Sequence, residues 1–140
     1  MKPSTSTIKS VCIIDDDNIY VSLLKKIILN INLCNNLIIF NNGQQSIEYF
    51  EQSVDDISIK NIPDIILLDI NMPIMDGWEF LERFNKIKNK FNKDIAIYMV
   101  SSSINPLDIN KAKSFPIVMD YIAKPINKKQ LESVFLKEYI

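Results

Sequence analysis

Residues 65–77 read Ile65-Ile66-Leu67-Leu68-Asp69-Ile70-Asn71-Met72-Pro73-Ile74-Met75-Asp76-Gly77. Four aliphatic residues in a row stop at a carboxylate, and a connection containing a proline follows. Asp76 then stands three residues before Glu79, the pattern of a capping box that opens a helix. Continuous apolar runs of this length are how strands buried on both faces of a parallel sheet read. Trp78, Leu81, Phe84 and Ile87 recur at helical spacing beyond it. The stretch is a strand, a charged loop and a helix.

Four further runs repeat that theme on either side: Val11 to Ile14, Leu37 to Phe40, Ile95 to Val100 and Ile117 to Ile122. Between them, Ile19, Leu23, Leu24, Ile27, Ile28 and Ile31 predict one helix with an apolar face, and Leu131, Val134 and Phe135 another. Asn42 to Gln45 and Asn127 to Gln130 resemble capping boxes, and Asn105-Pro106 reads as an N-cap with proline at the first helical position. Ser53 to Asn61 reads as a long polar connection. A strand–helix pair repeated five times, joined by right-handed crossovers, predicts an α/β fold: a doubly wound parallel sheet with helices on both faces.

At 140 residues the chain has room for one domain of ordinary size. Its 47% hydrophobic and 24% charged residues are ordinary for a globular protein and argue against disorder. Sixteen basic residues against 17 acidic ones leave a net charge of -1, which removes the footprint expected of a nucleic-acid or membrane-surface binder. No apolar run approaches the roughly 20 residues of a membrane span. Met1 to Ser10 is polar and shows no secretory signal, so a cytoplasmic location is expected. The two cysteines make neither a disulfide framework nor a zinc pattern, and Cys12 reads as a small buried hydrophobe. There is no histidine. That count excludes Ser-His and Cys-His dyads, histidine-ligated metals and a phosphohistidine on this chain. Hard, oxygen-liganded cations such as Mg²⁺ or Ca²⁺ are what remains.

In an open α/β sheet, ligands bind beyond the carboxyl ends of the strands. The first strand ends in Asp15, Asp16 and Asp17, the third in Asp69, the fourth in Ser101 and the fifth in Lys124-Pro125. Carboxylates crowded at one edge are unfavourable unless a cation or a lysine neutralises them. The arrangement predicts a Mg²⁺ site with Asp16 and Asp69 as direct ligands, Asp15 acting through water, and a backbone carbonyl just after Asp69. A carboxylate beside Mg²⁺ can also attack a phosphoryl group, with the metal and Lys124 stabilising charge on its oxygens and Ser101 donating to it. Asp17 and Asp76 read as helix caps, Gly77 as serving the turn, Trp78 and Phe80 as packing, and Lys128-Lys129 as a solvated face.

These residues resemble a response-regulator receiver domain of two-component signalling, similar along the whole chain to the single-domain chemotaxis regulator. The resemblance rests on Ile13-Ile14-Asp15-Asp16-Asp17, on Leu68 to Gly77, on Met99-Val100-Ser101 and on Tyr121-Ile122-Ala123-Lys124-Pro125. It implies a flavodoxin-like sheet in the order 2-1-3-4-5 with five helices, a tail over residues 1–8, a receiver over 9–140 and no output domain. It also implies Asp69 as phosphoacceptor, Asp15 and Asp16 as the acidic pair, and the Asn71 carbonyl as a further Mg²⁺ ligand. Ser101 would be the switch hydroxyl, Tyr121 the switch aromatic, Lys124 the family's lysine, and Lys124-Pro125 a cis peptide. The implied partners are a sensor histidine kinase or His-phosphotransfer protein and a downstream protein read through the fourth helix, fifth strand and fifth helix, with homodimerisation open. The stretch Ser101 to Pro106 and the connection before Pro63 resemble stand-alone receivers paired with sensor kinases, phytochrome-type ones among them. Two departures stand out: serine replaces the commoner threonine at 101, and Met119-Asp120 precedes Tyr121 where a glycine is usual.

Three other readings compete. A haloacid-dehalogenase-like phosphatase would match Asp15 and Asp17, but it needs an acidic pair after the lysine, where only Glu132 and Glu138 follow, and it leaves Asp69 unexplained. A flavodoxin-type FMN binder would meet three aspartates where it needs to cradle phosphate. A pseudo-receiver, binding a partner without phosphorylation, is opposed by the presence of every residue that phosphotransfer requires.

Overall fold

The computed structural model describes residues 8–32, 34–56 and 62–139. Strands β1 (Ile8–Ile14), β2 (Cys34–Phe40), β3 (Ile65–Leu68), β4 (Ala96–Ser101) and β5 (Val118–Ala123) alternate with helices α1 (Asn18–Ile31), α2 (Gly43–Asp55), α3 (Gly77–Ile87), α4 (Pro106–Lys113) and α5 (Lys128–Tyr139). All neighbouring strands are parallel, in the order β2-β1-β3-β4-β5. This is the doubly wound parallel arrangement that the five apolar runs predict, in the flavodoxin-like order that the family resemblance implies. The expected N-terminal tail lies outside the described residues except for Ile8, which already belongs to β1. The connection expected from Ser53 begins later, because α2 runs on to Asp55, and residues 57–61 lie outside the described residues.

Alternation along each strand divides the core into two layers. Val11, Ile13, Leu67, Tyr98 and Val100 meet Leu24 and Ile28 of α1 and Leu131 and Phe135 of α5. Cys12, Ile14, Ile66, Leu68, Ile97 and Met99 meet α2, α3 and α4 through Phe50, Phe80, Phe84 and Ala112. Both faces of β3 and β4 are buried, which is why their sequences are continuously apolar. The edge strands β2 and β5 are only partly covered. Helix starts follow the capping signals: Asp17, Asn42, Asp76 and Asn105 each accept a backbone N–H of the first turn. Asn127 and Gln130 cap reciprocally.

One expectation needs correction. Leu24 and Ile28 face the core as expected and Val21 joins them, but Ile19 and Leu23, expected on the same face, are exposed. The helix carries aliphatic residues on more than one face, so spacing alone does not fix the edges of the stripe that packs on the sheet. In β5, Ile97 pairs with Val118 and Tyr98 with Asp120, so Met119 is skipped in a bulge. That bulge is how the chain enters β5 without the usual glycine.

The connection from β3 to α3 is held by the absence of side chains. Neither glycine of the chain has a positive φ, so Gly77 is not there for conformational freedom. A Cβ on Gly77 would collide with the carbonyl oxygen of Asp69 and the Cα of Ile70. Its N–H donates to the Ile70 carbonyl at 2.7 Å. A Cβ on Gly43 would lie 2.7 Å from the Met75 carbonyl oxygen. Both glycines thus let other backbone close onto the 69–77 loop. The left-handed residue in that loop is Ile74, with φ 72, an uncommon conformation for a β-branched side chain. Gly77→Ala is expected to lower the unfolding free energy by about 1–3 kcal/mol, because the clash is with backbone that cannot rotate away. Urea titration checks this; a loss under about 0.5 kcal/mol, typical of an unconstrained surface position, would contradict it.

Candidate functional site

Parallel pairing brings the carboxyl ends of β1, β3, β4 and β5 to one edge. Two backbone bonds set the depth of the acidic residues: Asp15 N–H donates to the Phe40 carbonyl at 3.1 Å, and Asp69 N–H to the Ile14 carbonyl at 2.9 Å. Asp15 and Asp69 are buried, while Asp16 is exposed beside them. One carboxylate oxygen from each of the three falls within 4.8 Å of the others. Lys124 enters from the end of β5, where its N–H donates to the Ser101 carbonyl at 2.8 Å and its peptide bond to Pro125 is cis. Its ammonium lies 2.8 Å from Asp15 Oδ2 and 3.6 Å from Asp69 Oδ2.

Each buried carboxylate has one oxygen fixed by backbone. The Asp17 N–H donates to Asp15 Oδ1 and the Ile70 N–H to Asp69 Oδ1, both at 2.9 Å. The second oxygens, both Oδ2, face Lys124. Three carboxylates against one ammonium leave an excess of negative charge, and the protonation equilibria reflect it. Burial, then the neighbouring Asp15 charge, pushes Asp69 from 3.8 up to about 6, against the pull of Lys124 and the Ile70 N–H. Burial likewise raises Asp15, opposed by its hydrogen bond to Lys124. Burial alone would lower Lys124, but the bond to Asp15 and the charges of Asp15, Asp69 and Asp17 outweigh it and leave the ammonium more basic than usual. Hard oxygen donors clustered with uncompensated charge suit a small divalent cation. Asp15, Asp16 and Asp69 could hold one.

The remaining expected residues lie on the β3–α3 connection and on β4 and β5. Asn71 is exposed in the loop two residues beyond Asp69. Ser101 ends β4 fully buried, and its Oγ accepts the Ser103 N–H at 3.2 Å. Tyr121 is half-buried and its hydroxyl donates to the Ser103 carbonyl at 2.7 Å. Asp17 and Asp76 are caps, as read from the sequence.

Three residues matter more than the sequence reading allowed. Ser103 ties the β4–α4 connection together, since its hydroxyl also donates to Asp108 at 2.6 Å. Gly77 admits the Asp69 backbone. The Tyr20 ring lies against the Lys124 ammonium, 4.5 Å from ring centroid to Nζ. Its signal was an aromatic residue one helical turn after the acidic run, the single aromatic in a helix whose apolar residues are otherwise aliphatic.

Residues 11–135 match the family model described as the response regulator receiver domain. A two component response regulator from Cytophaga hutchinsonii superposes with a TM-score of 0.83 at 29% identity, over 94% of this chain and 97% of that one. The phosphorylated cyanobacterial phytochrome response regulator RcpA gives 0.73 at 26% identity, over 92% of this chain and 89% of its own. The sensor histidine kinase CheAY of Helicobacter pylori is 29% identical over 121 residues, which are 86% of this chain and 14% of the kinase. The hybrid signal transduction histidine kinase L of Dictyostelium discoideum is 25% identical over 91% of this chain, matched to 7% of its own length. The chain therefore spans a small fraction of these curated relatives.

The raised Asp69 value carries a sign for stability. Between pH about 4 and about 6 the folded state binds the Asp69 proton more tightly than the unfolded chain. That contribution is complete at the acid end and is lost as pH rises through about 6. In EDTA, the unfolding free energy of the parent should therefore fall across this window more steeply than that of Asp69→Asn. Parallel urea titrations check it, and equal slopes would contradict it.

Proposed function

The chain belongs to the response regulator receiver domain family, and on that premise we propose that Asp69 accepts a phosphoryl group from the phosphohistidine of a partner kinase or phosphotransfer protein. The carrying observation is the division of labour at Asp69: Oδ1 is held by the Ile70 N–H, while Oδ2 faces an ammonium already anchored on Asp15. Oδ2 attacks phosphorus, a P–O bond forms, the P–N bond to the donor imidazole breaks, and the imidazole leaves with its electron pair. This chain has no histidine, so the donor must be another group or molecule.

Asp15, Asp16 and Asp69, with the Asn71 carbonyl, would hold Mg²⁺. When bound, the ion neutralises the carboxylates and the charge on the transferring oxygens. Lys124 shares that second task. The module assists its own phosphorylation and dephosphorylation rather than turning over a separate substrate, and water reaches the exposed loop around Asn71 to hydrolyse the acyl phosphate.

Signal output follows from Ser101. Its hydroxyl, now engaged with the Ser103 N–H, turns to a phosphoryl oxygen once one is present. The Tyr121 bond to the Ser103 carbonyl transmits that change to the β4–α4 connection and α4. The altered face is α4, β5 and α5, where Leu107, Met119 and Leu136 are exposed apolar residues suited to a protein partner or a second copy of the chain. The phosphorylated relative RcpA supports the same chemistry here. A cytoplasmic setting, where such kinases present their phosphohistidine, fits this reading; among the described residues no helix is long and apolar enough to cross a membrane.

Incubation with acetyl phosphate and Mg²⁺, followed by intact-mass spectrometry, should give one phosphoryl adduct. Asp69→Asn should abolish it and EDTA should prevent it. Lys124→Ala should still be phosphorylated while failing to propagate the change to α4, read by amide chemical shifts of residues 103–113. A parental chain that takes no adduct while Mg²⁺ binds would contradict the proposal and favour the pseudo-receiver.

A further inference from the structure

We propose that Tyr20 is a positioning residue whose ring holds the Lys124 ammonium over the Asp15–Asp69 pair, at the place where a phosphoryl group on Asp69 meets it; this rests on the acceptor reading of Asp69. Lysine carries its charge on a flexible four-carbon stem with three donors that rotate freely. Two carboxylates at 2.8 and 3.6 Å fix how far Nζ reaches towards the pair. They do not stop it from swinging towards Asp17 or solvent. The ring face, 4.5 Å from Nζ to its centroid, closes that side. The side chain is left only 14% exposed.

An aromatic face suits this position better than a third carboxylate would. It attracts the cation through its quadrupole, yet it adds no charge to a cluster that already has too many. It also supplies no strong acceptor to compete with phosphoryl oxygens for the ammonium protons. The ring is placed by the turn that builds the acidic cluster: the Tyr20 N–H donates to the capping carboxylate of Asp17 at 3.1 Å. Asp15, Asp17 and Tyr20 are therefore set by one turn at the start of α1.

The hydroxyl is not the working part. It is buried without a hydrogen bond of ordinary geometry among the described residues, although it faces the backbone of Ile126. Tyr20 also packs against the α1–α5 side of the core, so its test must separate positioning from packing.

The full-length chain is compared with Tyr20→Leu, Tyr20→Met and Tyr20→Phe. Lys124 side-chain protons are observed by NMR, and the initial rate of Mg²⁺-dependent phosphorylation by acetyl phosphate is followed by mass. In the parent, the ring current should move the Lys124 ε-methylene protons upfield. Leu and Met should abolish that shift and slow phosphorylation at saturating donor by about fivefold, the scale of a half-buried cation–π contact. Phe should restore both. Met fills much of the volume with a flexible chain, so it serves where Leu does not fold. Parental rates in folded Leu or Met variants, or equal losses in Phe and Leu, would overturn the role. Absence of the ring-current shift in the parent would overturn the contact itself. A parent that shows the shift but takes no phosphoryl group would instead refute the acceptor reading, and the role with it.

Discussion

Two buried carboxylates, Asp15 and Asp69, share one ammonium at the carboxyl edge of the sheet, and most of the structure serves to keep them there. Left alone, such a pair would separate, protonate or admit water. The backbone forbids separation, because each aspartate is pinned by a ladder-type bond to the strand beside it. Lys124 provides partial neutralisation, and the turn into α5 begins immediately after it. Lys124 leaves part of the negative charge uncompensated, and a donor set of this kind suits a small divalent cation.

Around this pair the supporting parts are small and specific. Gly77 has no side chain because the Asp69 carbonyl occupies that space, and Gly43 yields in the same way to Met75. These contacts make the loop a rigid shelf rather than a flexible lid. The β4–α4 connection is built differently. Ser101, Ser103, Asp108 and Tyr121 hold it through a short chain of hydrogen bonds that runs from the buried end of β4 out to α4. A close-packed shelf thus lies on one side of the pair and a hydrogen-bonded strap on the other.

The fold was legible because inner strands buried on both faces leave an unmistakable trace: Ile65 to Leu68 and Ile97 to Val100 have no charged residue. The site was legible wherever a charged residue ended such a run, as with Asp15, Asp69 and Lys124. What escaped the sequence depended on relations between distant segments. Leu24, Ile27, Ile28 and Ile31 were read correctly on the core face of α1, but its edge, with Val21 inside and Ile19 and Leu23 outside, is fixed only by packing on the sheet. The reason for Gly77 is a contact with Asp69 rather than a turn, and spacing cannot show a contact. Tyr20 and Lys124 are a hundred residues apart in order of magnitude, and only the pairing of β1, β3, β4 and β5 brings the ring and the ammonium together.

The central claim is that the acidic cluster is a cation site whose excess charge is completed by Mg²⁺. Calorimetric titration of Mg²⁺ near pH 6, repeated in buffers of different ionisation enthalpy, tests it most directly. The account predicts one saturable site per chain, weakened by Asp15→Asn and by Asp69→Asn, with heats that depend on the buffer because Asp69 releases its proton on binding. No saturable binding, or binding indifferent to both substitutions, would contradict it.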